Sequence, residues 1–315
     1  MKIYKINDIS LLEGATAVTV GMFDGVHVGH RHILTTLQQT ADRLNLTPVV
    51  VTFDQHPRQV LNMDKASSFR VNTNEERYAL LESCGVREVA EVHFTLESAQ
   101  LSACEFLEQV LFRQLGAKAL VLGYDNMFGN RQRNDFDRLP ALAERLGVTL
   151  VVDTAVLHGG IEVSSTQVRK SLLKGDVRSA AQMLNYNYRL WGTVVKGRQV
   201  GRTLGFPTAN VCLDDATKVM PADGVYAVRV TLPDSKGTQR IGMANFGGQP
   251  TFGLDKPVFE VNIFDYDGDL YGQVLTVEFA DRVRDVCKFG SVQELVAQLA
   301  TDRDAVRKMF EYNYL

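Results

Sequence analysis

The sequence predicts an α/β domain with a mostly parallel sheet, followed by an antiparallel β barrel that a C-terminal helix completes. Three observations indicate this architecture. The chain has 315 residues, which is enough for two domains. Its first half alternates short apolar segments with segments of helical periodicity, as in proteins with parallel sheets. Its second half consists mainly of β-rich segments separated by Gly, Pro and Asp turns, as in antiparallel barrels.

The elements of the first half follow from the spacing of apolar residues, which is continuous in buried strands and recurs every three or four residues in helices. The predicted strands are Thr16–Gly21, Thr47–Phe53, Lys118–Gly123 and Val148–Thr154. The predicted helices are His30–Leu44, Glu75–Cys84, Cys104–Leu115, Leu139–Leu146, Thr166–Leu173 and Val177–Leu184. Because ligands of parallel sheets bind beyond the carboxyl ends of the strands, the motifs that follow these strands are candidate sites.

The second half carries four β-rich segments, LWGTVV, GVYAVRVTL, FEVNIFDY and VLTVEF, which alternate with turn residues. A segment of helical periodicity, Ser291–Tyr312, follows them. We place the domain boundary after the last helix of the first half, which gives domains 1–186 and 187–315.

The composition is that of an ordinary globular protein, with 45% hydrophobic and 23% charged residues. A net charge of −3 provides no broad basic field for nucleic acid or anionic lipid. No apolar run approaches the ~18 residues that span a bilayer, and the N-terminus lacks a signal-peptide core. The cysteines form no CxxC pair, which favours a reducing compartment. We therefore expect a soluble, cytoplasmic protein without nucleic-acid or membrane partners; the sequence carries no signal for an oligomeric state.

The first candidate site is the segment GMFDGVHVGH, which follows a predicted strand and opens a predicted helix. Gly21 and Gly25 allow a tight turn and a close approach to a ligand. His27 and His30 flank the helix start, where free N–H groups and the helix dipole favour a phosphate. An exposed loop with two incidental histidines is about as frequent for a lone HxGH, but the strand–turn–helix context favours function. A metal pair is a weaker alternative, because the sequence shows no third ligand.

The second candidate piece is the segment IEVSSTQVR, in which Ser164, Ser165 or Thr166 can cap the following helix. Arg169 lies one helical turn further and can reach a phosphate. Taken alone, this piece is more often a plain helix cap with a surface arginine. Two other strand ends, TFDQHP and GYDNMFG, taken alone are typical of ordinary loops.

The third candidate site is the segment GRQVGRTLGFPTAN of the second half. Its glycines, Gly197, Gly201 and Gly205, allow a loop to wrap phosphates through backbone N–H groups. Pro207 fixes the backbone before Thr208 and Asn210, whose neutral oxygens suit a Mg²⁺ ion that keeps its water and phosphate ligands. From spacing alone, a Gly/Pro-rich turn between two barrel strands is the slightly better interpretation.

Together and in this order, the motifs resemble the bacterial bifunctional riboflavin kinase/FMN adenylyltransferase family. The segments NFGGQPT and FEVNIFDYDGDLYG extend the resemblance through the second half. The resemblance implies a Rossmann-like nucleotidyltransferase domain followed by a riboflavin kinase-like barrel. It implies that ATP phosphorylates riboflavin to FMN and then adenylylates FMN to FAD, releasing pyrophosphate, with Mg²⁺ as the metal cofactor.

In the first half, the resemblance implies that His27 and His30 bind the ATP phosphates, and that Ser165, Thr166 and Arg169 close over them. It implies that FMN's phosphate attacks the α-phosphate of ATP without a general base, because a phosphate monoester is already ionised. The remaining expected binding residues are Gly21, Phe23, Asp24, Gly25, Ser164 and, where ATP and FMN meet, Asp125.

In the second half, the resemblance implies that Thr208 and Asn210 hold Mg²⁺ and that Glu260 takes the proton from the ribityl 5′-hydroxyl. Glu260 is the only acid in the apolar segment VFEVNIF, which agrees with a constrained position, although a strand carboxylate alone is more often solvated. The remaining expected binding residues are Gly197, Gly201, Arg202, Gly205, Pro207, Asn245 and Arg284. The segment 223–226 resembles the family's turn beside the flavin.

The chain departs from the family pattern near the expected flavin sites. Asn126-Met127 replaces a Phe-Arg pair, the arginines after Gly129 are displaced, and Gln55, Gln249 and Val286 stand where the family has Pro, Arg and Glu. The changed 126–134 stretch leaves open a kinase with weakened or absent adenylyl transfer. A non-catalytic flavin-binding sensor is a second alternative, against which the intact Thr208, Asn210 and Glu260 argue. A third is a nucleotidyltransferase with another phosphorylated acceptor, because the ATP motif of the first half is shared across related transferases.

Overall fold

The computed structural model describes residues 1–6, 14–56, 60, 69–124, 128–130, 133, 135–197, 199–215, 217–233, 237–249 and 254–312. The chain packs into two compact units, Met1–Ser67 with Asn72–Ser165 and Ser68–Val71 with Thr166–Leu315. This division lies earlier in the chain than 186/187, because the two helices before the barrel pack with the second unit. The limit between functional domains at 186/187 stays a prediction.

The first unit is built on one sheet of six parallel strands in the order β1-β4-β3-β2-β5-β6. The strands are β1 Lys2–Lys5, β2 Thr16–Val20, β3 Thr47–Phe53, β4 Glu88–Val92, β5 Ala117–Leu122 and β6 Thr149–Val152. A short hairpin of β7 Leu157–His158 and β8 Ile161–Glu162 follows. The predicted parallel sheet is confirmed. The sequence analysis missed β1 and β4 because their polar residues interrupt the apolar runs that mark the other strands.

The helices agree with the predicted ones to within about two residues, except that one changes form. They are α1 Val28–Leu44, α2 Asn74–Ser83, α3 Ala103–Phe106, α4 Leu139–Leu146, α5 Ser165–Leu173 and α6 Val177–Leu184. A continuous helix was predicted over 104–115, but α3 passes at Leu107–Phe112 into a π-helical turn. Three-residue 3₁₀ turns occur at Ser98–Gln100 and Phe136–Arg138.

A buried arginine ties the strand ends of the first unit together. Arg77, in α2, is 2% exposed. Its guanidinium donates to the carbonyl of Met22 at 3.1 Å and to that of Phe53 at 2.8 Å. Hydrogen bonds to a charged donor are stronger than those between neutral groups, so the chain is fixed where it leaves β2 and β3. The first candidate site begins at this point.

The second unit is a closed barrel of six antiparallel strands in the order β10-β13-β12-β11-β14-β9. The strands are β9 Arg189–Val195, β10 Ala209–Leu213, β11 Gly224–Thr231, β12 Gln239–Gln249, β13 Leu254–Ile263 and β14 Val274–Arg284. One helical turn, α7 Val200–Thr203, lies between β9 and β10, and α8 Val292–Tyr312 follows β14. The predicted barrel with a C-terminal helix is therefore confirmed.

The barrel strands divide their side chains between two apolar clusters. Tyr226 and Phe259 both contact Phe279 inside the barrel. On the outer face, Met243 and its neighbours pack against Val306 of α8. Because strand side chains alternate between faces, this division fixes which residues of β12 and β13 point outward.

An ion pair anchors α8 to the barrel. The Arg284 guanidinium, in β14, donates to both carboxylate oxygens of Asp302, with its Nε 3.0 and 2.9 Å from them and Nη2 2.7 Å from Oδ2. Asp302 is only 2% exposed and also accepts from Gln298 at 2.8 Å. The pair is therefore a structural link between the last strand and the last helix.

We expect Asp302→Asn to lower the free energy of unfolding of the second unit. The loss should be about 2 kcal/mol, below the roughly 3–5 kcal/mol of fully buried pairs, because one fifth of the Arg284 side chain is exposed. Urea unfolding followed by the fluorescence of Trp191, the only tryptophan, measures this loss. Asp304→Asn, an exposed acid of the same helix, should change stability by about 0.5 kcal/mol or less. Equal losses in the two variants would contradict the assignment.

Candidate functional site

The loop after β2 has an uncommon backbone conformation. Phe23, Gly25 and Val26 have positive φ angles of 50°, 86° and 38°. Glycine adopts such angles freely, but bulky side chains do so at a cost of roughly 1–3 kcal/mol each. Phe23 and Val26 are nonetheless almost fully buried, at 1% and 0% exposed. Strain of this kind persists where the surroundings impose it, and it is concentrated at functional sites.

Hydrogen bonds from distant parts of the first unit hold this loop. The Asp24 carboxylate accepts from the backbone N–H of Asn72 at 3.1 Å. The Asp24 carbonyl accepts from the Ser165 hydroxyl at 2.8 Å. Asp24 itself is 4% exposed, so both bonds are shielded from water. The loop is thereby preorganised.

The two histidines of the motif stack at the start of α1. His27 is the N-cap residue, and its Nδ1 accepts from the backbone N–H of His30 at 3.3 Å. The two rings lie 3.6 Å apart at an angle of 18°. Because Nδ1 accepts a bond, a neutral His27 carries its proton on Nε2 and can donate from there.

Gly29 makes this stacking sterically feasible. A Cβ atom at this position would lie 3.2 Å from the His27 ring and 3.4 Å from the carbonyl oxygen of Val163. The side chain of any larger residue would therefore crowd the His27 ring. The glycine between the two histidines is favoured by close packing rather than by its φ angle.

The environment of His30 keeps its imidazole neutral. Burial, together with the charge of the neighbouring His27, lowers the pKa of His30 well below 6.5. The Phe23 ring covers it, with ring centroids 5.0 Å apart. The neutral His30 imidazole, the His27 Nε2 and the N–H groups that begin α1 form a set of hydrogen-bond donors suited to a phosphate chain. Among the described residues, no group of three His, Cys, Asp or Glu side chains lies close enough together to hold a metal ion.

The second predicted piece lies at the start of α5. Ser165 is the first helical residue and bonds to the loop as described, and Ser164 precedes it. Arg169 donates from Nη2 to the hydroxyl of Thr166 at 3.2 Å. Asp125 lies outside the described residues, as do residues 126–127, 131–132 and 134 and the side chain of Gln249.

Asp54 at the end of β3 has partners that the sequence analysis did not identify. Its carboxylate lies 2.5 Å from Nδ1 of His93 and accepts from the backbone N–H of Phe94 at 3.0 Å. Burial alone would raise the pKa of Asp54. The hydrogen bonds from His93, Phe94 and the backbone of Gln55, together with the charge of His93, outweigh burial and hold the pKa below its usual value. Asp54 is thus an ionised group that joins the ends of β3 and β4.

In the barrel, three predicted site residues share one row. Strand β13 lies between β10 and β12, and Glu260 is paired with Asn210 on one side and Asn245 on the other. Side chains of directly paired residues point to the same face and lie about 5 Å apart. Since Phe259 and Val261 are buried, the row lies on the outer face. The register thus unites residues that are far apart in the sequence.

Two glycines lie close to the side chains of the predicted metal ligands. A Cβ atom at Gly197 would come within 2.1 Å of the Asn210 side-chain nitrogen. A Cβ atom at Gly201 would lie 2.3 Å from the carbonyl oxygen of Phe206 and 3.3 Å from the Thr208 hydroxyl. Of the three glycines of the motif, only Gly205 has a positive φ, at 80°. Gly197 and Gly201 therefore leave a space beside Asn210 and Thr208, which we call the glycine cradle. A side chain at either glycine would fill it.

Two cavities border the same motif. One, of about 450 Å³, is lined by Arg202, Pro207 and Thr208 and by the segment 266–271. The other, of about 430 Å³, lies across Pro207 and is lined by Gly205, Arg303 and Arg307 among others. Both volumes are in the range of small-molecule sites. Pro207 of the motif thus lines both cavities.

The donor set of the cradle fits Mg²⁺. Thr208 and Asn210 provide a hydroxyl and a carboxamide oxygen, and Glu260 is the strand partner of Asn210. Mg²⁺ prefers oxygen ligands and is bound by few protein groups when phosphates and water complete its shell. The partly exposed positions of Thr208 and Asn210 leave room for such ligands.

Arg284 and Asp223 have protein partners. Arg284 forms the ion pair with Asp302, so its expected flavin contact stays a prediction. The Asp223 carbonyl accepts from Nη2 of Arg282 at 2.6 Å, and its carboxylate lies against Gly247, where a Cβ atom would be 2.8 Å away. The turn 223–226 is thereby packed closely against β12 and β14.

Comparison with known proteins identifies both halves. A family model described as FAD synthetase matches residues 11–167, and one described as riboflavin kinase matches residues 184–310. Proteins described as bifunctional riboflavin kinase/FMN adenylyltransferase match nearly the whole chain. That of Haemophilus influenzae is 36% identical over 300 residues, covering 95% of this chain and 96% of the relative. That of Bacillus subtilis is 32% identical over 302 residues, covering 95% and 93%.

A solved structure has the same fold throughout. It is described as a macrolide-efflux protein from Streptococcus pneumoniae and is 33% identical in sequence. The TM-score is 0.82, with 98% of this chain and 99% of that chain covered. Within the described ranges of the present chain, no helix is long and apolar enough to cross a membrane.

We expect His30 to be half-protonated well below pH 6.5. The His27→Ala variant should raise the pKa of His30, because removing the His27 ring removes a nearby charge and admits water. Since folding lowers this pKa, His30 contributes stability that is present above about pH 6.5 and is lost as the pH falls through the folded value. Titration of ¹³C-labelled histidines by NMR measures the shift. His32→Ala, on the same helix but bonded to Asp153, should leave it unchanged. A wild-type midpoint at or above pH 6.5 would contradict the burial argument.

Proposed function

Since the chain belongs to the bifunctional riboflavin kinase/FMN adenylyltransferase family, we propose that the histidine loop of its first unit and the glycine cradle of its barrel carry the two reactions. The enzyme phosphorylates riboflavin with ATP to give FMN and adenylylates FMN with ATP to give FAD and pyrophosphate. The single observation that carries the residue assignment is the pairing of Glu260 with Asn210 and Asn245 beside the cradle.

In the kinase reaction, Glu260 accepts the proton of the ribityl 5′-hydroxyl. The hydroxyl oxygen bonds to the γ-phosphorus of ATP, and ADP departs. A base in this position contributes about 10²–10⁴-fold. Thr208 and Asn210 would hold Mg²⁺, which when bound would neutralise the charge of the nucleotide phosphates. Arg202 and the backbone of residues 197–207 bind the nucleotide in the adjoining cavity. Asn245 orients the base from the neighbouring strand.

In the adenylyl reaction, an oxygen of FMN's phosphate bonds to the α-phosphorus of ATP and pyrophosphate departs. His27, through Nε2, and the N–H groups that begin α1 stabilise the charge of the leaving group. Ser165, Thr166 and Arg169 complete the phosphate contacts, and Asp125 lines the acceptor side. Because the attacking phosphate is already ionised, the reaction depends on positioning rather than on a base.

We also propose 1–186 and 187–315 as the two functional domains, since the two family models match within these limits apart from residues 184–186. We place both reactions in the cytoplasm, because all four cysteines are free thiols, as expected in a reducing compartment.

Two variants should separate the reactions. Glu260→Gln should lower riboflavin phosphorylation about 10²–10⁴-fold while FAD formation from added FMN continues, because the base serves only the hydroxyl nucleophile. The His27→Ala/His30→Ala variant should show the reverse pattern. Purified protein is incubated with Mg²⁺, ATP and either riboflavin or FMN, and the products are separated by chromatography.

Each variant is the control for the other, because each should retain one activity of a folded protein. Full kinase activity in Glu260→Gln would remove Glu260 as the base. FAD formation from FMN that does not exceed the level of the double histidine variant would remove adenylyl transfer, leaving a kinase alone.

Gly197→Ala should weaken the kinase site through Asn210. The added Cβ would lie 2.1 Å from the Asn210 side-chain nitrogen, so the carboxamide must move. We expect the Mg²⁺ concentration for half-maximal kinase activity to rise about tenfold, with adenylyl transfer unchanged. Gly290→Ala is the matched control, since its Cβ would meet only the flexible end of Glu294 at 3.3 Å. An unchanged Mg²⁺ requirement in Gly197→Ala would exclude Asn210 as a ligand.

A further inference from the structure

The ladder between β10 and β13 stops beside the predicted metal ligands. Its last pairs are Asn210 with Glu260 and Ala209 with Val261. One step further in the same antiparallel register, Thr208 would face Asn262, but β10 begins only at Ala209. The backbone thus leaves the sheet at Thr208, and the ladder hydrogen bonds end there.

A side chain replaces the missing ladder bond. The Asn262 carboxamide nitrogen donates to the carbonyl oxygen of Pro207 at 2.6 Å. A carbonyl only accepts, so the nitrogen and not the oxygen of the carboxamide must face it. Asn262 is 6% exposed, and a buried polar group that lost its partner would carry a desolvation cost. Asparagine suits this position because its side chain ends in a group like a peptide.

This bond fixes the orientation of the peptide plane that precedes Thr208. None of the described peptide bonds is cis, so the Pro207 carbonyl and the Thr208 N–H point in opposite directions. Holding the carbonyl toward Asn262 therefore turns the Thr208 N–H away from β13. Gly201 lies on another side of Thr208, where a Cβ atom would be 3.3 Å from its hydroxyl. Thr208 is thus fixed through its backbone, and its hydroxyl lies close to Gly201.

We propose that Asn262 is a positioning residue of the kinase site, which sets the Thr208 hydroxyl for Mg²⁺ and the nucleotide by holding the carbonyl of Pro207. The inference rests on the proposed function of Thr208. Asn262 acts through another residue, and it lies two positions from Glu260 on the same face of β13. One strand thereby supplies both the base and the support of the metal ligand.

The test uses the full-length protein and two variants that lack the donor, Asn262→Leu and Asn262→Ala. Asn262→His is the donor-retaining variant, since its ring Nδ1 can occupy the place of the carboxamide nitrogen. Binding of Mn²⁺ with ADP is measured by electron paramagnetic resonance in a His27→Ala/His30→Ala background, which removes nucleotide binding by the first unit. Kinase kinetics are measured at varied Mg²⁺.

Both donor-less variants should bind Mn²⁺ with ADP about five- to tenfold more weakly and require correspondingly more Mg²⁺ for half-maximal kinase activity. Their kcat at saturating Mg²⁺ should stay within about twofold of the wild type, because Glu260 is untouched. Asn262→His should restore most of the binding. FAD formation from FMN, measured in the otherwise wild-type protein, should be unchanged and shows that the first unit is intact.

Unchanged Mn²⁺ binding in both donor-less variants would overturn the proposal, as would an equal loss in Asn262→His. Loss of the folded barrel in both, detected by Trp191 fluorescence, would also overturn it, because Asn262 would then determine the fold. Failure of the proposed function is recognised separately. In that case the wild type itself forms no FMN from riboflavin.

Discussion

The kinase site depends on the position of β13 between β10 and β12. Glu260 is paired with a residue on each side. A shift of β10 or β12 by one residue would turn the side chains of the shifted strand to the opposite face. The buried Val211 of β10 and Ala244 of β12 oppose such a shift, since it would expose them. The hydrophobic core of the barrel therefore sets the distance between the carboxylate and the amide oxygens. Catalytic geometry and core packing are one constraint here.

Much of the fold could be predicted from the sequence, because apolar spacing is a local property. Helices Leu139–Leu146 and Val177–Leu184 and strand Thr47–Phe53 were predicted with the bounds that the structure has. Strand β12 was missed because its glycines and polar residues break the alternating pattern. The π-helical turn after Phe106 was missed because its hydrogen-bond shift has no signature in apolar spacing.

The candidate sites were predictable as lists of residues but not as arrangements. The stacking of His27 on His30 and the row through Glu260 depend on caps and on strand register, which are not properties of a motif. Asn262 was missed although a signal existed. It is the second polar residue in the apolar segment around Glu260, and a buried polar residue in a strand needs a specific partner. That partner, Pro207, could be found only from the register.

The two sites are built differently because their nucleophiles differ. A phosphate monoester carries its own negative charge, so the first unit needs donors held in place. A strained loop with a neutral His30 stacked on His27 provides them. A ribityl hydroxyl is neutral and must lose a proton, so the barrel needs a carboxylate close to the metal ligands. Such a carboxylate must be held against the repulsion of nucleotide phosphates. Pairing on both sides in a closed barrel provides that rigidity, which a loop at a strand end would not.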